Sequence, residues 1–583
     1  MPEVAEQTTM RVHRTANQTV AQRLVATLKR HGIEFMVGQS IPSPVFLSGT
    51  DSGIRQILVR TEKAGAMIAD GYARVSGKVP VVGSLGGPGT PLMMAGMSEA
   101  YYASIPMVAL FQVVPRPFKD RNFSQDFDDL AALRTVAKFV QLVDRADRID
   151  DYIDQAFVIA ASGRPGPVAL LFPPDLLDAA AEAADERSNV YGSYPLDRVV
   201  ADPAAIKAAA EVLAKSKKPL IVAGGGVHSS QAVPELAWFQ DVAGFPVATT
   251  LMGKGSVADT HSLSVGIVGY VMGRYAPSYY VKSLVDEADV IFLIGTRTNQ
   301  NGTNGWKVFP RSAKFIHLDI DCREVGRNYE ALRLVGDAKL TLAALRTELE
   351  KLDLSGVKRG RADREQIIKD GRSTRAKDVK KLVTSEQSPI RPERVMAELQ
   401  KFITPETLVC ADASYATVWV GTYIDSLKAG MRFITPRGQA GIGWGFPIAL
   451  GVALASPGKQ VVNVSGDGGF GYAWSEMETA VRHNISLVQI VLNNSVFGYQ
   501  QQAEDASYGR HTKGLHIAPV DHAQIARACG WHAERVTKAS DLAAAMKKAF
   551  GCGKPALVEV ISDPNAWPPI QNFEGRLPAT FNG

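Results

Sequence analysis

Two oxygen-bearing side chains, each at the end of a short apolar run, could together hold one small hard cation. Asp467, in Gly466-Asp467-Gly468, offers a carboxylate, and Asn494, in Asn493-Asn494, offers an amide oxygen. Val496 could add its main-chain carbonyl. Three protein oxygens leave room for two phosphate oxygens and a water, the octahedral set that magnesium prefers. Gly468 and Gly469 permit close approach of the backbone to a diphosphate, and a helix start there adds amide donors.

The elements that must position these groups are legible around them. Residues 461–465 (VVNVS) read as a strand buried on both faces, 475–483 have helical spacing with Met477, Ala480 and Val481 apolar, and 486–492 form a second β-branched run. A βαβ unit of this length puts Asp467 and Asn494 on the same carboxyl edge of a parallel sheet, where open α/β folds bind ligands. Similar alternation recurs upstream, with apolar runs at 79–84, 107–112 and 167–172, and again at 219–223, 290–294 and 315–320. The fold class expected is α/β, with three doubly wound parallel-sheet domains. The boundaries read as a tail over 1–17, a first domain over 18–190, a central domain over 191–350 and a third domain over 389–583, which ends in a Pro-rich tail. Residues 351–388 are charged and poor in aromatics, and read as a solvated linker with helical turns. The first and third blocks are alike in size and type, but their sequences do not display a duplication.

Composition narrows the function classes. The 583 residues are 46% apolar and 21% charged, ordinary for a globular enzyme, and a net charge of +5 gives no reason to expect a nucleic-acid partner. No apolar run is long enough to span a bilayer, and the N-terminal residues lack an apolar signal core, so no membrane partner is expected. Cys322, Cys410, Cys529 and Cys552 are scattered without metal-ligand spacing, which fits a reducing, cytoplasmic setting.

With Asn-Asn at that distance from Gly-Asp-Gly, the chain resembles the thiamine-diphosphate enzymes, and in particular the acetohydroxyacid synthase and pyruvate decarboxylase superfamily. The resemblance runs from about residue 18 to about residue 569. It implies thiamine diphosphate and Mg2+ as cofactors, with Asp467, Asn494 and Val496 as metal ligands. Segment 58–78, LVRTEKAGAMIADGYARVSGK, matches the family's pyrimidine-binding stretch, and Glu62 falls on its activating glutamate. A carboxyl hydrogen-bonded to the aminopyrimidine ring promotes loss of the thiazolium carbon's proton. Relatives usually have His before this glutamate; here it is Thr61. The small residues after Glu62 suggest a helix against which a flat ring can lie.

The same resemblance assigns Ile442, in ITPRGQAGIGWGF, to the apolar prop that bends the cofactor, and Gly438 to the strip of backbone facing its exocyclic amine. Gln125 aligns with a glutamine facing the reacting centre, and Gly498 and Gln502 match the synthases in SVFGYQQQA, beside Phe497. Ser414, in Ala413-Ser414-Tyr415, stands where synthases place Gly-Gln-His against the diphosphate, and Ala503 replaces the tryptophan that selects their second keto acid. In the middle block, segment 246–255 and Arg297 resemble segments that bind FAD in the synthases and ADP in CoA-linked relatives; Thr298-Asn299-Gln300 departs from the synthase pattern. The implied activity is decarboxylation of a 2-keto acid and transfer of the acyl unit to a second carbonyl. The alternatives are a 2-hydroxyacyl-CoA lyase, a 2-keto acid decarboxylase, or a non-catalytic cofactor-binding homologue. Because the family builds one site from two subunits, a homodimer at minimum, and a homotetramer, is expected, acting on a small keto acid or acyl substrate.

Overall fold

A computed structural model describes residues 18–181 and 187–573. The expected N-terminal tail lies outside the described residues. Three six-stranded sheets run in succession along the chain, spanning Phe35 to Phe172, Pro219 to Val335 and Leu408 to Ile561, and every paired strand is parallel. Helices cover both faces of each sheet, so the central strands are apolar on both sides. Val488–Asn493, Pro167–Phe172 and Val290–Ile294 are buried at every residue.

Strand order separates the sheets into two kinds. Numbered along the chain within each sheet, the first and third share the order 2-1-3-4-6-5, whereas the middle sheet has the order 3-2-1-4-5-6. The likeness of the first and third blocks in size and type therefore extends to their topology. In the first and third sheets the direction of winding reverses between strands 1 and 3, and such a reversal opens a crevice at the carboxyl edge. Strand 3 of the first sheet, Val81–Leu85, runs into Gly86-Gly87-Pro88-Gly89; strand 3 of the third, Val461–Gly466, runs into Asp467-Gly468-Gly469. The two glycine loops are topological counterparts.

The two like domains are clamped by a helix crossing. Helix Glu62–Ser76 meets helix Gly445–Leu454 so closely that a Cβ on Gly71 would lie 1.9 Å from the Ile448 carbonyl oxygen, and one on Gly451 would lie 1.9 Å from that of Ile68. Ala66 packs likewise against Gly96 of helix Gly89–Ala103. The small residues after Glu62, expected to admit a flat ring, are thus taken up by helix packing. Periodicity alone cannot tell these two uses of a small face apart.

The charged stretch 351–388 also differs from expectation. It contains one 23-residue helix, Arg361–Val383, whose arginines turn inward. Arg364 donates to the carbonyls of Gly244, Val357 and Lys217; Arg372 serves the 259–261 turn; and Arg375 reaches the carbonyls of Tyr275 and Thr422. Carbonyls left over at element ends need donors, and a guanidinium on an apolar stem supplies several. Charge content alone makes such a helix look solvated.

Candidate cofactor site

The third sheet's crevice is where the expected metal ligands meet. Asp467 begins the short helix Asp467–Phe470, is 3% exposed, and accepts the main-chain N–H of Ser495 at 3.0 Å. Burial pushes its pKa up to about 6, held down in part by main-chain donors including Asn494 and Gly468. No cationic side chain lies within 4.0 Å of it among the described residues. Asn494 Oδ1 takes the N–H of Val496 at 3.2 Å, folding the segment so that Asn494 and Val496 line the same cavity as Asp467. The neighbouring Asn493 has a different job: its Nδ2 donates to Glu559 Oε1 at 2.7 Å and to the Val520 carbonyl at 3.1 Å, pinning the strand end. Sequence reading singles out Asn494 and assigns Asn493 no role; the structure gives Asn493 this one.

Ser414, Ile442, Gly468, Gly469, Phe497 and Gly498 line this cavity as well. Ser414 sits at φ +67°, ψ −140°, a strained backbone for a residue other than glycine, just before helix Tyr415–Tyr423. The glycines are already required by the protein itself. A Cβ on Gly468 would lie 2.8 Å from the Phe497 ring, one on Gly469 would lie 2.2 Å from Asp412 Oδ2, and one on Gly498 would lie 2.8 Å from the Tyr415 ring.

Sequence reasoning missed Asp412. It is 1% exposed, and its carboxylate accepts from Gly443, Trp444 and Gly445 at 2.8, 3.1 and 2.9 Å. Burial raises its pKa while these donors oppose the shift. It ties the loop carrying Ile442 to the end of strand Leu408–Ala411, and a lone aspartate after an apolar strand was the only signal of it. Glu99 was missed too. Fully buried, it takes the N–H groups of Gly438 and Gln439 at 2.7 Å each, while Arg74 bridges it to Asp70. A first-domain side chain thus holds Gly438 in place.

Glu62 and Gln125 belong to the other half. Glu62 is the first residue of its helix, which Thr61 caps by accepting the N–H of Ala64 at 3.3 Å. Buried Glu476 of the third domain takes the N–H groups of Arg60 and Thr61. Glu62 Oε1 lies 3.5 Å from where a Gly89 Cβ would stand, and the Gln125 carbonyl 2.6 Å from where a Gly87 Cβ would, so both flank the Gly86–Gly89 loop. Gln125 is itself left-handed at φ +69°. The cavity around Asp467 is lined by third-domain residues only, and neither Glu62 nor Gln125 lines it. Gln502 is buried beside Tyr415 on helix Gly498–Tyr508.

Arg297 lies apart from both, in a cavity at the carboxyl edge of the middle sheet with Asp319, Asp337 and Arg437. It approaches the Tyr102 ring at 6.0 Å, and burial lowers its pKa. Asp337 is already engaged by Arg198 and Ser230 and by its helix start, whereas burial pushes Asp319 up to about 6. The loops after strands 1 and 4 of this sheet touch through glycine: a Cβ on Gly224 would lie 2.2 Å from the Gly295 carbonyl oxygen.

The donor set fits a hard cation. It comprises a carboxylate, an amide oxygen and a carbonyl, and among the described residues no group of three or more His, Cys, Asp or Glu side chains converges to form a softer centre. Comparison with known proteins agrees with this chemistry. Three family profiles match in order: the N-terminal TPP binding domain of thiamine pyrophosphate enzymes over residues 18–133, the central domain over 206–345, and the C-terminal TPP binding domain over 412–560. Each match falls on one of the three sheets. A probable acetolactate synthase large subunit of Methanococcus aeolicus is 31% identical over 564 residues, 94% of this chain and 92% of that protein. One of Methanocaldococcus jannaschii is 31% identical over 575 residues, 96% and 94%. The chloroplastic acetolactate synthase of Arabidopsis thaliana is 30% identical over 565 residues, 93% and 81%. The chain therefore belongs to the thiamine pyrophosphate enzymes, as a thiamine-diphosphate-dependent enzyme resembling the acetolactate synthases.

Proposed function

We propose that this chain holds thiamine diphosphate through Mg2+ at the carboxyl edge of its third sheet and makes or breaks carbon–carbon bonds in the manner of an acetolactate synthase. The observation that carries the reading is the convergence of Asp467, Asn494, Val496 and Ile442 on one cavity at a switch point, around a buried carboxylate without a cationic partner. Bound thiamine diphosphate supplies the electron sink for loss of carbon dioxide from a 2-keto acid and for transfer of the acyl unit to a second carbonyl. Asp467, Asn494 and the Val496 carbonyl are the metal ligands. Main-chain N–H groups at Gly468 and Gly469, with the Ser414 hydroxyl, hydrogen-bond the diphosphate; Phe497 and Gly498 wall it. Ile442 props the cofactor, and Gly438 offers backbone to its amine. Glu62 presents its carboxyl to the pyrimidine ring nitrogen and shuttles a proton there. Gln125 and Gln502 orient the substrate.

The catalytic unit in this reading is a homodimer, assembled as a homotetramer. Supporting it, Glu62 and Gln125 sit at the first sheet's edge while the Asp467 cavity draws only on the third domain. FAD or ADP fills the middle cavity, a reading supported by that sheet's 3-2-1-4-5-6 order and by Arg297. A cytoplasmic setting accords with the four free cysteines; no helix among the described residues is long and apolar enough to cross a membrane. One observation favours a second reading, a 2-hydroxyacyl-CoA lyase or 2-keto acid decarboxylase: Ala503 leaves the Gln502 helix without the synthases' tryptophan. Mass spectrometry of ligands released from the purified protein, with a carbon dioxide assay across keto acids and acyl-CoA thioesters, tests both. FAD with ligated product supports the synthase reading, and ADP with acyl-CoA cleavage the second. Absence of any thiamine-diphosphate-dependent turnover refutes both.

A further inference from the structure

Tyr415 stands against the cavity around Asp467, and its side chain reaches across to helix Gly498–Tyr508. Its hydroxyl has one proton and two acceptors within range, Gln502 Oε1 at 2.5 Å and the Gly498 carbonyl at 2.9 Å. The Gly498 carbonyl already begins the ladder of its own helix, so the proton serves Gln502. Burial drives ionisation of the phenol far upward, which keeps it a donor. Only a glycine at 498 admits the ring at this distance. Gln502 is 3% exposed, and with Oε1 committed the amide plane is fixed. Its Nε2 makes no hydrogen bond among the described residues, which leaves this donor open to a ligand oxygen.

We propose that Tyr415 is a positioning residue for the second, acceptor substrate: by holding Gln502 Oε1 it aims Gln502 Nε2 at the acceptor's carbonyl oxygen. The inference rests on the function proposed above. As the acceptor carbon is attacked, its carbonyl π pair moves onto that oxygen, and a fixed donor strengthens with the growing charge. The acceptor class is a 2-keto acid or aldehyde.

Partitioning tests this. In Tyr415→Phe the ratio of ligated product to carbon dioxide should fall about tenfold, the worth of one neutral hydrogen bond, with the acceptor's KM rising and carbon dioxide release falling less than the ratio. The double variant Tyr415→Phe/Gln502→Met should lose no more than Gln502→Met alone, because the two residues act as one unit. In the unliganded chain, hydrogen exchange at residues 498–508 should quicken by about tenfold in Tyr415→Phe while that of strand Val488–Asn493 stays fixed. An unchanged product ratio, a parallel fall in both readouts, or multiplicative losses in the double variant would each overturn the proposal. If instead the unaltered protein releases no carbon dioxide in response to thiamine diphosphate, it is the underlying function that fails.

Discussion

Replacing Gly71 by alanine sets two effects of opposite sign against each other. In an exposed helix, Gly→Ala stabilises by about 1 kcal/mol through backbone entropy. Here the new methyl would arrive 1.9 Å from the Ile448 carbonyl oxygen and 2.8 Å from its carbon. A comfortable contact needs about 3.5 Å, so the helices must part by roughly 1.5 Å. Neither contact atom is the end of a flexible side chain. Overpacking of this type costs about 1–3 kcal/mol and at times more, and the clash lies at the upper end. The net expectation is a loss of about 2 kcal/mol, or roughly 4–8 °C in Tm for a domain of this size. The assay is thermal unfolding alongside Gly356→Ala as control, since Gly356 also lies in a helix but has nothing within 4 Å of its Cβ position, and that variant should gain stability. Carbon dioxide release should fall as well in Gly71→Ala, because Glu62 opens the displaced helix. A Tm for Gly71→Ala at or above that of the parent would refute the reasoning.

Other outcomes follow from the same geometry. Glu62→Gln should lower turnover by about 10²–10⁴-fold while calorimetry shows Mg2+ and thiamine diphosphate still binding; unaltered turnover would count against its role. Chelation with EDTA should abolish cofactor-induced thermal stabilisation, Mg2+ should restore it, and Asp467→Ala should resist rescue. Asp412→Asn leaves a main-chain N–H of the 443–445 loop facing an amide NH2, at a cost of about 1–3 kcal/mol, visible as a lowered Tm and weaker cofactor binding. His522 is buried against Trp474, and burial depresses its pKa to about 4. The unfolded chain then binds the proton more readily, so this stability is present above pH 6.5 and lost as pH falls toward 4, up to about 3 kcal/mol. The slope of Tm with pH over that window should flatten in His522→Gln.

Much of the third domain could be read from its residues because a fully buried parallel strand is an unbroken apolar run and its end is marked by Gly, Asp or Asn. Asp467 and Asn494 stood out for that reason, and strand Val461–Gly466 begins where the apolar run does. Residues that act through the main chain were invisible. Asp412, Glu99 and Glu476 bind N–H groups of loops distant in sequence, and nothing in their neighbours announces this. Arg372 and Arg375 look like solvent-facing charge until the carbonyls they satisfy are located. Gly71, among the small residues after Glu62, reads as room for a ligand, since one sequence cannot say which surface approaches a small residue.

The crossing of the two glycine helices has one more property. Gly71 meets the carbonyl of Ile448 while Gly451 meets that of Ile68, each glycine facing the residue three places before the other. Such reciprocity is the mark of an isologous contact, in which a surface pairs with a copy of itself about a dyad. It is found here within a single polypeptide, between two modules of the same strand order. The fold thus builds inside one chain the two-fold pairing that separate subunits otherwise make, with Asp467 following strand 3 of one module and a glycine loop following strand 3 of the other.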